Sequence, residues 1–120
     1  MLHVCGPTLK HTELMVETGA EVLSIDYCTD IGKCIRMVPE HVIIMGNVSP
    51  NTLRRGTKEE VEEEVQAILD AVEGFPNFVM STGCSTMGGT PDENVQILFD
   101  MCRGAQKGKL CDGLYEEGLV

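Results

Sequence analysis

The chain has 120 residues, 42% hydrophobic and 23% charged, an ordinary composition for a single globular domain that excludes an intrinsically disordered segment. Nine basic side chains against 19 acidic ones give a formal charge of −10, so neither a nucleic-acid backbone nor an anionic membrane surface is an expected partner. No apolar stretch approaches the roughly 20 residues that span a bilayer, and Met1–Pro7 lacks the basic-then-apolar layout of an export signal. The expected setting is the cytoplasm. In that reducing compartment Cys5, Cys28, Cys34, Cys84, Cys102 and Cys111 read as buried thiols or metal ligands rather than disulfides.

Taken in order, Leu2–Cys5 has the length and apolar character of a strand. Leu9–Thr18, with Leu14, Met15 and Val16, reads as a helix that stops at Gly19. Val22–Ile25 is a second strand. Asp30 is placed to cap a helix holding Ile31, Ile35 and Val38, which ends before Pro39. Val42–Met45 is the third strand, followed by a turn at Gly46–Pro50. Thr57 and Glu60 form a capping box for the longest helix, whose Val61, Val65, Ile68 and Val72 recur at helical spacing. Phe78–Met80 is the fourth strand. Thr90, Pro91 and Glu93 suggest a second capping box opening a helix with Val95, Leu98, Phe99 and Cys102. The folded unit is expected over 1–103, with 104–120 a loosely packed tail holding one short turn at Leu114–Glu117.

None of the strands alternates apolar with polar, as befits strands covered on both faces. A β-α unit repeated four times implies a parallel α/β sheet with right-handed crossovers. It closes either as an open doubly wound sheet or as part of a (β/α)8 TIM barrel, whose full length is about 250 residues. In both, chemistry gathers beyond the carboxyl ends of the strands. Residues two apart in a strand share a face, so His3 and Cys5 project together. Cys84 stands at the equivalent height of the fourth strand. An imidazole and two thiolates suit zinc, with donors at about 2.0–2.3 Å, and three protein ligands leave a fourth position for substrate. The plainer alternative is a strand histidine bonded to backbone beside an inert thiol.

Asp26, at the second strand's end, is a candidate to orient His3 or to contact the metal; otherwise it is a solvated loop carboxylate. Asn47 and Ser49 are candidate substrate contacts, although the Gly and Pro around them equally suit a turn. Cys28 and Cys34 read as incidental or buried thiols, Cys102 as helix core and Cys111 as a tail residue. His11 and His41 are surface residues, and Glu59, Glu60, Glu62, Glu63 and Glu64 the wet side of a helix. Met15, Met37, Met80 and Met101 fit core positions, whereas Met87 follows Cys84 in a loop.

The runs Leu2-His3-Val4-Cys5-Gly6, Glu17-Thr18-Gly19-Ala20, Ser24-Ile25-Asp26, Met45-Gly46-Asn47-Val48-Ser49-Pro50, Gly56-Thr57, Thr82-Gly83-Cys84 and Thr90-Pro91-Asp92-Glu93-Asn94 occur in an order that resembles the C-terminal half of the uroporphyrinogen decarboxylase superfamily. Within it the chain is most similar to the methylcobamide:coenzyme M methyltransferases. The resemblance implies half of a (β/α)8 TIM barrel, its parallel strands five to eight, and maps the zinc-holding His-x-Cys and late Cys onto His3, Cys5 and Cys84. It implies zinc, a methylated corrinoid (cobalamin) protein as methyl donor, and a thiol such as coenzyme M as acceptor. A tetrapyrrole decarboxylase and a zinc- or partner-binding fragment without turnover are the competing expectations. Because a half barrel has two open strand edges, a homo-oligomer or a complementary N-terminal half is expected to cover them.

Overall fold

The structure, a computed structural model, describes residues 1–107. Strands β1 (Leu2–Val4), β2 (Val22–Ile25), β3 (Ile43–Val48) and β4 (Phe78–Thr82) form one parallel sheet in the order β1-β2-β3-β4. Helices α1 (Thr12–Glu17), α2 (Ile31–Arg36), α3 (Pro50–Arg55), α4 (Lys58–Ala71) and α5 (Asp92–Lys107) join and follow them. Sequential parallel pairing with helical crossovers is the architecture of a partial (β/α)8 barrel. Among the described residues, no helix is long and apolar enough to cross a membrane.

The register separates two sides of the sheet. Leu2, Leu23, Ile44 and Phe78 lie level, as do Val4 with Ile25 and Gly46 with Met80. This side meets the helices, and Leu23, Ile25, Ile44 and Val48 are fully buried there with Ile35, Leu53, Val61 and Val65. Each such side chain contributes about 1.5–3 kcal/mol by leaving water. The other side carries His3, Ser24, Met45 and Val79 at one level. One step further towards the carboxyl ends it carries Asp26 and Asn47.

Local signals act as the residue chemistry dictates at two helix starts. The Asp30 carboxylate accepts from the Lys33 amide at 3.0 Å. Thr57 and Glu60 exchange side-chain and backbone bonds of 3.2 and 2.9 Å. At α5 the expected box does not form. The Thr90 hydroxyl donates instead to the Met87 carbonyl at 2.6 Å, which closes the preceding turn, and the helix begins at Asp92.

Other boundaries also differ from the sequence reading. β3 runs to Val48 and β4 to Thr82, because hydrogen bonding between the two strands continues past their apolar runs. The first helix is a 3₁₀ turn, Leu9–His11, leading into α1. Helix α3 fills the stretch between the expected turn at Gly46–Pro50 and the capping box at Thr57; Pro50 opens it, and the buried Asn94 amide donates to the Leu53 and Gly56 carbonyls at its end at 2.8 and 3.1 Å. Met37, expected in the core, follows the end of α2 and is exposed, as is Phe99 on α5. Helix α5 continues through Lys107, so residues 104–107 are helical rather than tail. Cys111 and the turn expected at Leu114–Glu117 lie outside the described residues.

Candidate metal centre

The carboxyl ends of β1, β2 and β4 converge. His3 and Cys5 leave β1 on the same side, and the Cys5 thiol approaches His3 Nε2 at 3.4 Å. The other ring nitrogen, Nδ1, lies 3.1 Å from the Ser24 carbonyl and 3.0 Å from its hydroxyl. A proton on Nδ1 donated to that carbonyl leaves Nε2 with a free lone pair aimed into the cluster. Ser24 is level with His3 across the β1–β2 pairing, so the sheet itself sets the ring's orientation.

Asp26 is buried, not a solvated loop carboxylate. Its Oδ2 accepts from the Gly6 amide at 2.9 Å and its Oδ1 from the Cys28 amide at 3.2 Å. Desolvation pushes its pKa up, but the Gly6 and Cys28 backbone donors, the Cys28 thiol and the His3 charge together outweigh it, and the carboxyl is held below its ordinary value. Asp26 does not bond the His3 ring; Ser24 fills that role.

Cys84 arrives from the far end of the sheet. The Gly83 amide bonds the Val48 carbonyl at 2.8 Å, and the Thr82 hydroxyl donates to the Cys84 carbonyl at 2.7 Å. A Cβ at Gly83 would overlap the Tyr27 backbone nitrogen, so glycine lets the end of β4 close on the end of β2. That approach brings one donor atom each from His3, Cys5, Asp26 and Cys84 within 4.8 Å of one another. The Cys5 thiol is pushed above its ordinary pKa by its hydrogen bond to Cys84 first, then by the Cys84 charge, desolvation and Asp26. A divalent cation bound beside the Cys5 thiol would oppose that upward push. One imidazole, two thiols and a carboxylate form a donor set that fits zinc.

Asn47 and Ser49 stand outside the cluster. Buried Asn47 spends its amide on the Asp26 and Thr29 carbonyls at 3.1 and 2.7 Å, tying β3 to the loop that carries Asp26. Ser49 holds the position before α3 without a capping bond from its side chain, and its amide donates to Glu64 at 2.8 Å. Thr29 completes the brace: it accepts from the Thr8 amide at 3.1 Å and donates to the Gly6 carbonyl at 3.4 Å. Sequence reasoning missed Ser24, Thr29 and Gly83. Only Ser24 carried a readable signal, since it lies two residues before Asp26 and so shares its side of the strand.

A family model described as uroporphyrinogen decarboxylase (URO-D) matches residues 1–105. A uroporphyrinogen decarboxylase of Prochlorococcus marinus (strain MIT 9515) is 33% identical over 73% of the chain and 25% of its own length. The methylcobamide:CoM methyltransferase MtbA of Methanosarcina mazei is 34% identical over 86% of the chain and 29% of its own length. A solved methyltransferase structure from Methanosarcina mazei superposes with a TM-score of 0.71 at 30% identity, covering 82% of the chain and 29% of that structure. The chain thus spans little more than a quarter of the length of the relatives it matches.

Proposed function

Because the chain belongs to the uroporphyrinogen decarboxylase family, we propose that it is the zinc-bearing C-terminal part of a methyltransferase that moves a methyl group from a methylated corrinoid protein to a thiol such as coenzyme M. The observation that carries this reading is the convergence of His3, Cys5 and Cys84, with Asp26, at the strand ends. Bound there, zinc would keep a substrate thiol deprotonated at neutral pH, and its electron-rich sulfur would accept the methyl group.

The chain's own residues do the positioning. Ser24 fixes the imidazole tautomer and angle. Gly6 and Cys28 amides lock the Asp26 carboxylate, so it cannot swing to solvent. Two cysteinates offset the charge of a divalent ion and suit sulfur activation better than a three-histidine set, which favours water. Tyr27 and Met87 lie on the loops after β2 and β4.

A tetrapyrrole decarboxylase is the second reading, and the decarboxylase relatives favour it. It gives the thiol pair no task. Elemental analysis of the purified chain, alone and with the N-terminal part of a methyltransferase relative, separates the two. The expected result is one zinc per chain, lost together with methylcobalamin-to-thiol transfer in His3→Ala and Cys84→Ala. A metal-free chain, or a variant with undiminished zinc, overturns the assignment.

A further inference from the structure

The residues of the metal centre also form an arrangement that needs no cation. The Cys5 thiol lies 3.4 Å from His3 Nε2, and Ser24 holds the opposite ring nitrogen. A sulfur nucleophile, a base within reach of its proton and a third group that orients the base are the parts of an activated cysteine. Cys84 supplies a second sulfur within 4.8 Å of the first. Cys5 is exposed and Cys84 half-buried, and both lie just beyond the ends of their strands. Their sulfurs can therefore close to a bond of about 2.05 Å without breaking the pairing between strands. The other described thiols are placed differently. Cys34 is fully buried against the Thr12 hydroxyl at 3.7 Å. Cys102 is half-buried on α5, and exposed Cys28 stands outside the group of four donors.

We propose that the metal-free centre is a redox-modification site, at which a hydroperoxide joins Cys5 to Cys84 as a disulfide. In the first step the Cys5 sulfur attacks the terminal peroxide oxygen and the O–O bond breaks. The thiol's proton passes to His3 Nε2 and from there to the departing oxygen, which leaves as an alcohol, or as water from hydrogen peroxide. Cys5 is then a sulfenic acid. In the second step the Cys84 sulfur attacks the Cys5 sulfur, the S–O bond breaks, and the hydroxyl leaves with the Cys84 proton as water. The two thiols lose two electrons and two protons, and the hydroperoxide takes up both. The disulfide removes the two sulfurs that zinc needs as thiolates, and a dithiol reductant restores them. Metal and oxidant thus compete for one pair of side chains. This inference rests on the geometry of the centre and not on the methyl-transfer reading.

Hydrogen peroxide added to the full chain, stripped of metal by a chelator and checked for its fold by far-ultraviolet circular dichroism, tests it. The expected result is the loss of two free thiols, a mass lower by two hydrogens, and peptides linked through Cys5 and Cys84 in a non-reduced digest, all reversed by dithiothreitol. Cys84→Ser stops at a sulfenic acid on Cys5 that dimedone traps, and Cys28→Ser still forms the link. His3→Ala slows thiol loss about tenfold or more. A chain that forms the link and yet never binds zinc supports this inference while overturning the methyl-transfer reading. Thiols that stay free in excess peroxide, a link made through Cys28, cross-links between chains only, or a rate indifferent to His3→Ala overturns the proposal.

Discussion

His3 uses its two ring nitrogens differently: one is held by Ser24 and the other faces Cys5. A residue that only orients a ligand still sets metal affinity, because a freely rotating imidazole must be ordered on binding. Ser24→Ala should keep the fold and weaken zinc binding about 10–100-fold, measured by competition with a chromophoric chelator. Asp26 offers a pH test in the metal-free chain. Its folded pKa lies below the unfolded value of about 3.8, so its ionised form favours the fold above that value. The contribution is lost as the pH falls through the folded pKa. Asp26→Asn should therefore lower the urea midpoint at pH 7, and the gap to the parent should close progressively in acid. The site was legible at this scale in unequal parts. His3 and Cys5 share a strand side by a period of two, whereas the Ser24 hydroxyl and the Gly83 backbone act on residues remote in the chain.

Helix starts show how a local signal succeeds or fails. Thr57 and Glu60 satisfy each other's amides, and Val61 and Val65 behind them are fully buried, so cap and packing agree. At Thr90 the same residue pattern meets a tight turn in which the hydroxyl finds the Met87 carbonyl first. The two threonines thus separate a cap from a turn. Thr57→Ala should cost about 1 kcal/mol of unfolding free energy, read from urea denaturation. If Thr90→Ala matches it with the same signature in α5 amide exchange, the distinction is wrong. Long amphipathic helices such as α4 declare themselves by periodicity. The six-residue α3 does not, since two turns hold too few apolar positions to set a period, and its end is secured by Asn94 from α5.

At the scale of the molecule, the sheet's side towards the helices is closed and its opposite side is open. The closed side holds the aliphatic core; the open side leads from Met45 and Val79 to Asp26 and the candidate metal ligands. Parallel strands in sequential order curve, and that curvature lets Cys84, after the last strand, reach Cys5, after the first. The amino-acid order by itself determined the four β-α units, their parallel pairing, most of the buried aliphatic positions and the pairing of His3 with Cys5, because each follows from short-range periodicity and capping. Only the tertiary structure decided that Asp26 is buried and joins the thiols, that Asn47 braces loops, and that Val4, Leu14, Val79 and Phe99 stand exposed. Those facts depend on which strand lies beside which and how far the sheet bends, and no local pattern of residues encodes either.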